Sequence, residues 1–468
     1  MRFTAEALTK EQIFDIHSLT LDLLENTGIA MHHEPSRKIF AENGADVQGE
    51  IVKIPGTLAA KMLKGLPKSF TVVGRNLQHS IKIGAGNDPV WGPAAGPVFV
   101  TDSHKNRHPG TIEDLKNFLA LSQSSPYIGV ACPGILSPAD IAPQEKHLQA
   151  MMEAIRISDK PLVGLALGKK VSDDCIRMAR IAAGDLGDYY IIGIVNSLSP
   201  MAWDERMLEA VWSYAGKGQP LILTCCSMAG FTSPTTLAST LVQNNAEVLS
   251  GMILCQLINP GTPVVYGNTS TITDMLTMNL CIGAPEYALL STACAQLARF
   301  YGVPFRSGGG LSDAKELDPQ AGIESTTNLL FTMANQVDFV LHALGVMESF
   351  LSISYEKWIM DEEILGRIYR LRRGIGELPQ NAGALISEVG SGGHYLDQPD
   401  TMLNFRDVFH QPLISDRGNW DSWLAKEKTY AQKAAAACQK RLENFNPPQL
   451  PLSMESELKL CIDDCLKY

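Results

Sequence analysis

Few residues of this sequence stand where side chains could do chemistry, and those that do follow short apolar runs. Arg306 ends one such run and precedes the string SGGG, whose glycines allow a ligand to approach the backbone closely. Its guanidinium could hold a carboxylate, or it could form an ion pair with an acid of the next loop such as Asp313. His342 stands near the end of the run DFVLHALG, and Glu348 could hold its imidazole or balance a cation directly.

The sequence lacks the motifs that mark common nucleophiles and metal centres. It has no G-x-S-x-G elbow, no H-E-x-x-H helix, no P-loop and no C-x-x-C. The ten cysteines are scattered, so neither a zinc site nor a disulfide framework is indicated, and we expect no bound metal. The string SGGG could be a phosphate cradle, but the acidic string SDAKELD follows at once and would repel such an anion.

Composition excludes several classes of protein. The formal net charge is −11 and no run of Lys or Arg is long, so we expect no nucleic-acid partner. The charged, helically spaced N-terminus does not resemble a signal peptide, and no segment has ~20 uninterrupted apolar residues, so we expect no membrane span. Reduced cysteines fit a cytoplasmic enzyme.

The elements that must position these residues are parallel β/α units. Helical patterns alternate with short apolar runs that end in small or polar residues, which is typical of strands buried on both faces. The runs are 128–132, 161–167, 189–195, 221–225, 263–266, 303–306 and 338–344. A (β/α)8 TIM-type barrel is favoured, although its eighth strand is not evident, and a doubly wound open sheet is the alternative. No strand is followed by the G-x-G-x-x-G turn that a dinucleotide-binding open sheet would need.

Three regions are predicted around this core. Residues 1–110 read as an accessory α+β layer, with helices near 9–26 and 35–43 and strands near 70–73, 79–83 and 98–101. Residues 111–350 form the barrel core. Residues 351–468 complete the barrel and add a Gly-rich lid loop at 390–393 and C-terminal helices near 425–443 and 454–466.

Five longer strings resemble the trimethylamine methyltransferase superfamily, in the same order along most of the chain. They are NSLSPMAWD at Asn196 to Asp204, and the segments Gly261 to Met275, Gly283 to Ser325, Leu341 to Ile368 and Gly390 to Phe409. The resemblance implies a barrel enzyme that passes a methyl group to the cobalamin of a partner corrinoid protein. One group in this superfamily uses pyrrolysine to demethylate trimethylamine, and no pyrrolysine is written in this sequence.

The missing pyrrolysine predicts a quaternary amine as substrate. A tertiary amine leaves poorly until its lone pair is engaged, whereas a quaternary ammonium has no lone pair and already carries the charge. In-line attack by Co(I) on an N-methyl group then needs mainly positioning and desolvation. Glycine betaine is the simplest candidate, and proline betaine, carnitine and γ-butyrobetaine are alternatives. A metal-dependent barrel lyase or hydrolase is the rival of another class, and a non-catalytic scaffold for the corrinoid partner is a third.

The places of eight residues in or after the apolar runs, together with the chemistry of the expected substrate, suggest roles for them. His342 and Glu348 are the expected catalytic residues, and Arg306 is the expected carboxylate anchor. Tyr266, Phe231 and Phe99 could form an aromatic box for the cation, with Trp91 as a further candidate, although a place in the core is the commoner state for any one such aromatic. Asn196 and Asn268 could donate to a carboxylate or to corrinoid side arms, or serve only as turn residues. We also expect an open bowl of neutral or negative potential, and a homo-oligomer is possible.

Overall fold

The N-terminal part of the chain forms a layer of short helices and strands. The computed structural model describes residues 4–86, 88–102 and 106–467. Helix α1 begins with a capping box of Thr9 and Gln12 and continues into one π-helical turn, Leu23–Thr27, so the predicted helix near 9–26 is confirmed. The elements of this layer are α1 (Lys10–Asp22), β1 (Ile29–Met31), α2 (Glu34–Glu42), β2 (Asp46–Gln48), β3 (Ile51–Lys53), α3 (Gly56–Leu63), β4 (Ser69–Val72), β5 (Ile81–Gly84), β6 (Val90–Trp91), β7 (Phe99–Thr101) and β8 (Arg107–Pro109).

The middle of the chain alternates helices with strands. Its elements are α4 (Ile112–Ser124), α5 (Lys146–Ile157), β9 (Leu162–Gly164), α6 (Lys169–Ala183), β10 (Ile191–Asn196), β11 (Ala202–Trp203), α7 (Glu205–Gly216), β12 (Leu221–Cys225), β13 (Met228–Ala229), α8 (Leu237–Ile258), β14 (Val264–Asn268), β15 (Thr271–Thr273), β16 (Leu280–Cys281), α9 (Pro285–Tyr301), β17 (Phe305–Gly308), α10 (Pro319–Ala334), β18 (Phe339–Leu341), β19 (Val346–Met347) and β20 (Ser352–Ile353). Because the strands are nearly all apolar and buried, both of their faces are covered.

Seven of these strands form one parallel sheet in the order β6-β18-β17-β14-β12-β10-β9. Six of the seven predicted apolar runs contribute a strand to it. The seventh strand, β6, comes from the segment that the sequence pattern assigned to the accessory layer, and Val90 and Trp91 pair with Phe339 and Val340 of β18. The protein therefore has an α/β fold built on a curved parallel sheet with helices outside it.

The remaining apolar run, near 128–132, lies between the two edge strands of this sheet. Ile128 bridges in parallel to Trp91 of β6, and Ala131 bridges to Leu162 of β9. The backbone N–H of Gly129 donates to the carbonyl of Trp91 at 2.8 Å, and that of Val163 donates to the carbonyl of Ala131 at 2.9 Å. The segment thus hydrogen-bonds to both edges.

Helix α8 carries the N-terminal layer. Helices α1, α2 and α3 all pack on it, so that α8 is buried on most of its circumference although it lies outside the sheet. Its apolar residues therefore show almost no amphipathic pattern, as expected for a helix covered on all sides. The helices of this layer are an outer cover for α8, while its segment around Ala95 reaches the carboxyl ends of the strands.

The C-terminal part is helical. Its elements are α11 (Tyr355–Arg373), α12 (Ala382–Val389), α13 (Pro399–Val408), α14 (Trp420–Leu424), α15 (Tyr430–Glu443) and α16 (Leu452–Cys465). Helix α15 packs on α11 and α4, and α16 packs on α6. The two predicted terminal helices are confirmed. Within the described ranges, no helix is both long and apolar enough to cross a membrane.

Candidate active site

A cavity of about 650 Å³ lies at the carboxyl ends of the parallel strands. Each strand of the sheet, and also the 128–131 segment, contributes to its lining at or just beyond its end. The contributing residues include Ala95, Cys132, Leu165, Asn196, Cys226, Thr269, Arg306 and His342. Carboxyl ends of parallel β/α strands are where such folds place their ligands. The lining is mostly apolar, with a few polar groups among it.

Arg306 is the best-placed polar residue of this lining. It is only 2% exposed, and its Nη1 donates to the carbonyl of Asn268 at 3.2 Å and to Oγ1 of Thr269 at 2.7 Å. Among the described residues, neither its Nε nor its Nη2 has a hydrogen-bond partner, and no carboxylate pairs with it. Burial lowers its pKa. A buried guanidinium without an acid is costly, so the site calls for an anion.

The alternative that Arg306 pairs with Asp313 is wrong. The Asp313 carboxylate instead accepts from the backbone N–H groups of Ile282 and Gly283 at 3.0 and 2.9 Å, and from Oγ of Ser349 at 2.7 Å. Its acceptor capacity is used in holding two loops together.

His342 lines the cavity together with Arg306. The backbone N–H of Ala95 donates to its Nδ1 at 3.2 Å, which fixes the ring proton on Nε2. No described residue accepts from Nε2. Burial, and then the positive charge of Arg306, hold the pKa of His342 well below its usual range, so the ring is neutral. Its φ of 59° lies in the left-handed region, where strained residues often serve a site.

An aromatic ring that the sequence did not single out completes this group. The Phe350 ring lies 4.6 Å from the His342 ring, between centroids, and lines the cavity. Phe350 ends a run of three left-handed residues, Glu348, Ser349 and Phe350, with φ of 51°, 50° and 74°. Left-handed residues other than glycine are destabilising, so this turn must be held by its surroundings.

Glu348 provides part of that hold and is not in the cavity lining. Its carboxylate accepts from Nε of Arg107 at 2.9 Å and from Oγ of Ser352. The expected contact between Glu348 and the His342 imidazole is absent from the described residues, because the left-handed turn directs the carboxylate to the β7–β8 hairpin. The Arg107 guanidinium also covers the Phe99 ring, 3.5 Å from its centroid. Phe99, proposed for the aromatic box, is thus already occupied by a cation of the chain.

The other aromatic candidates also lie outside the cavity lining. Tyr266 is fully buried on the outer face of β14, where its hydroxyl donates to Asn245 at 3.1 Å. Trp91 donates from Nε1 to the Tyr369 hydroxyl at 2.7 Å. Phe231 is 62% exposed in the loop after β13. Strand alternation explains Tyr266, since neighbouring residues point to opposite faces and only one face meets the cavity.

The two asparagines differ. Asn196 lines the cavity at the end of β10 and is exposed to it. Asn268 is fully buried, and its Oδ1 accepts from the Ser270 N–H at 3.1 Å in the turn after β14. Its Nδ2 is buried without a hydrogen-bond partner among the described residues, and its main-chain carbonyl accepts from Arg306.

The charge of the cavity is opposite to that expected. Among the described residues, the lining contains the cations Arg306 and Lys146 and no carboxylate. The predicted neutral or negative bowl is therefore wrong. Burial raises the pKa of the Cys226 thiol to about 11, which keeps it protonated at neutral pH. Within the part of the chain that the structure describes, no group of three His, Cys, Asp or Glu side chains could hold a metal ion.

The parallel sheet with a ligand-sized cavity at its strand ends defines a β/α-type enzyme fold. The solved structure of monomethylamine methyltransferase from Methanosarcina barkeri shares this fold with a TM-score of 0.54. It is 12% identical, and the match covers 96% of this chain and 91% of that one. Residues 2–464 match the model of the trimethylamine methyltransferase (MTTB) family. The chain belongs to that family of methyltransferases, which confirms the resemblance.

Curated relatives match over nearly their whole length. A glycine betaine methyltransferase of Desulfitobacterium hafniense (strain Y51) is 39% identical, covering 97% of this chain and 96% of the relative. A proline betaine:corrinoid methyltransferase of Eubacterium limosum is 31% identical, covering 100% and 99%. An L-carnitine:corrinoid methyltransferase of the same organism is also 31% identical, covering 98% and 97%.

Proposed function

We propose that this protein demethylates glycine betaine, passing one N-methyl group to the Co(I) of a partner corrinoid protein. The observation that carries the proposal is Arg306, a buried cavity-lining guanidinium with free donors and no acid partner among the described residues. A substrate with a carboxylate would supply the missing anion. The 39% identical relative, a glycine betaine methyltransferase, supports this substrate.

The proposed pose follows from the donors. The betaine carboxylate accepts from Nη2 of Arg306 and from the Nε2 proton of neutral His342, so both residues bind the substrate. His342 then has no part in proton transfer, since its pKa is held low. Phe350, beside His342, offers its ring face to the quaternary ammonium by cation–π attraction. The ammonium methyls then point toward the cavity mouth.

Little further chemistry is asked of the chain. A reduced corrinoid, brought by its partner protein, would supply the nucleophile, and dimethylglycine leaves as a neutral amine. The residues of this chain hold the carboxylate, orient one N–CH₃ bond toward the mouth and exclude water around the cation. The apolar lining fits this task. It excludes water from the quaternary ammonium, which holds the substrate in one orientation and makes its N-methyl group more reactive toward the nucleophile. No proton needs to move.

Size favours glycine betaine over the larger betaines that are alternative substrates. The Phe350 ring packs beside His342, and Arg306 is near enough for its charge to lower the pKa of His342, so the proposed anion and cation subsites are close together. Carnitine and γ-butyrobetaine separate the two charges by more atoms, and proline betaine adds ring bulk. The rival metal-dependent lyase or hydrolase finds no supporting observation among the described residues.

We also propose that the sheet closes into a (β/α)8 barrel. The segment 128–131 bridges β6 and β9 and would be the eighth strand, short because Pro126 and Pro133 flank it. Residues 1–110 then form the accessory layer apart from β6, residues 111–350 form most of the barrel, and residues 351–468 form the helical extension. The cytoplasmic location stays a prediction.

We infer that the corrinoid partner docks on the loops at the cavity end. The loops after β13 and β15 expose large apolar side chains, with Phe231 62%, Met275 64% and Leu276 95% exposed. These loops follow β12 and β14, whose ends reach the cavity. Exposed apolar groups beside a cavity mouth are typical of a protein-binding surface.

The test is incubation of the protein with a reduced corrinoid protein and a set of amines, following the conversion of Co(I) to methyl-Co(III) by absorbance. We expect methyl transfer from glycine betaine, slower transfer from carnitine and proline betaine, and no useful transfer from trimethylamine. Equal rates with trimethylamine and glycine betaine would contradict the mechanism. Transfer from carnitine alone would show that carnitine, and not glycine betaine, is the substrate of the same reaction.

A further inference from the structure

A segment at the start of the C-terminal extension has no core of its own. This arm, residues 375–408, contains α12 and α13, and neither helix has a buried residue. Its large aliphatic side chains face solvent, with Leu378 87%, Leu396 77% and Leu403 76% exposed. Exposed apolar surface of this extent normally marks an interface.

The arm is nevertheless built as defined secondary structure. Helix α12 ends at Gly390 with φ of 69°, and α13 begins with Pro399 in its first turn. Isolated helices of this length are not stable in water. Among the described residues, the arm's hydrogen bonds to the rest of the chain are confined to its last residues, where Arg370 and Arg373 donate to the carbonyls of Val408 and Asp407. The helices therefore need a surface from elsewhere.

The arm leaves the molecule at the end opposite the cavity. Helix α11 starts beside Gly345, whose carbonyl accepts from the Ser354 N–H at 2.9 Å near the carboxyl ends of the strands. It finishes at the strand starts, where Arg372 forms an ion pair with Asp88, just before β6. The arm is thus not a lid on its own cavity, contrary to the predicted lid loop. A corrinoid protein that must reach the cavity would not cover it.

Charge indicates what does cover it. The arm carries five acids, Glu377, Glu388, Asp397, Asp400 and Asp407, against one arginine, Arg406. Where the arm joins the rest of the chain is a cleft of about 570 Å³, lined by Arg370 and Arg373 of α11, by Arg406 and Asp407 of the arm itself, and by the aromatic rings of Tyr127 and Tyr369. Among the described residues, none of these three arginines has a carboxylate partner. One chain thus carries both an acidic apolar arm and a basic aromatic cleft.

We infer that the arm packs on a second copy of this chain, against the basic cleft beside that copy's own arm. We infer a mutual exchange, in which each arm packs on the other copy's cleft, and such an exchange closes as a two-fold dimer. The two arms would together cover apolar surface that is otherwise exposed to water. The inference does not depend on the substrate bound in the cavity.

The test is sedimentation velocity of the full chain at micromolar concentration. We expect the wild-type protein to sediment as a dimer or a multiple of it, and the double variant Leu396→Glu/Leu403→Glu to sediment as a monomer. Arg370→Glu/Arg373→Glu, on the other surface, should have the same effect. Leu452→Glu is the matched control, since Leu452 is 81% exposed at the start of α16, outside the arm, and should leave the dimer intact.

Circular dichroism and thermal unfolding of each variant establish that it is folded, so that a monomeric variant reflects loss of the interface and not misfolding. A monomeric wild-type protein would overturn the inference. A dimer that both double variants leave intact would do the same. Arm variants that stay dimeric but lose affinity for the corrinoid protein would reassign the arm to that partner.

Discussion

Arg306 sets the character of the site. A buried guanidinium without a carboxylate partner costs stability, and the chain tolerates it beside a neutral histidine whose own protonation it opposes. Two groups that would repel each other if both were charged are thus kept as one cation and one neutral donor. Arg306 and His342 together offer donors from two side chains and one positive charge, which suits a single carboxylate.

Replacing Arg306 with alanine should raise KM far more than it lowers kcat. A carboxylate anchor remote from the reacting methyl group binds the ground state and the transition state nearly alike. Steady-state kinetics with glycine betaine should show a loss of ~2 to 4 kcal/mol in kcat/KM. Choline-type analogues without a carboxylate should be much less sensitive, and Arg180→Ala, on Tyr190 outside the cavity lining, should change neither constant. Unchanged kinetics in a folded Arg306→Ala protein would make this arginine structural.

The depressed pKa of His342 predicts a pH dependence of stability. Below the unfolded pKa of about 6.5 the unfolded chain takes up a proton on this ring and the folded chain does not, so stability falls as pH decreases. The contribution is at most ~1.4 kcal/mol per pH unit, down to the low folded pKa. Urea unfolding of the wild type and His342→Asn should give free energies that converge as pH falls below 6.5. Parallel curves would mean that the ring titrates alike in both states.

Sequence reasoning found Arg306 and His342 because both stand at the ends of apolar runs, where a parallel sheet gathers its polar groups. It misassigned Tyr266 because the ends of such runs are one residue uncertain, and one residue reverses the face. It missed Phe350 because three successive left-handed residues reverse the chain after β19. Nothing in the letters ESF signals such a turn, since left-handed turns are usually marked by Gly or Asn.

At the scale of elements, that left-handed turn positions the Phe350 ring, which we propose as the cation subsite. It costs roughly 1 to 2 kcal/mol per residue, and it is held by Arg107 on Glu348 and by Asp313 on Ser349. The β7–β8 hairpin and the loop after β17 thus fix where the Phe350 ring lies. Strain kept at a site by its surroundings often pre-organises binding.

Phe350→Leu should weaken glycine betaine binding by ~1 to 2 kcal/mol, because leucine fills space but has no quadrupole to attract the cation. Isothermal titration calorimetry measures the change. Phe99→Leu is the matched control, since that ring is covered by Arg107 and lies outside the cavity lining. Equal losses of glycine betaine affinity in the two variants would show that the Phe350 ring is not the cation subsite.

Leu276→Glu should impair methyl transfer to the corrinoid protein but not to free reduced cobalamin. The substitution places a charge on the exposed loop between β15 and β16 without touching the cavity lining. We expect a ten-fold or greater rise in KM for the partner protein, as for ~1.4 kcal/mol of lost interface. An equal effect with free cobalamin would show that the loop acts on the cavity itself.

At the scale of the whole molecule, the sequence predicted parallel β/α units and the terminal helices well, since buried strands and amphipathic helices leave strong periodic patterns. It did not reveal β6, because a strand of two residues has no period. It did not reveal α3 or the arm's exposure either. Helix α8 illustrates the limit of such patterns. Because it is covered on all sides, it has no polar face, and its sequence does not show which elements pack on it.

The pairing of β6 with β18 has a consequence for how the chain is made. Val90 leaves the ribosome long before its partner Phe339. Until then β6 has the 128–131 segment as a neighbour but its other edge stays open, and the contact with β18 is of very high sequence separation. Pulse-labelled hydrogen exchange during refolding should therefore find the amides of β6 and β18 protected last, after those of β10, β12 and β14, which pair with near neighbours. Early protection of β6 would mean that the N-terminal layer organises this strand before the sheet does. The newborn chain would thus stay open to misassociation along this edge until β18 has been made.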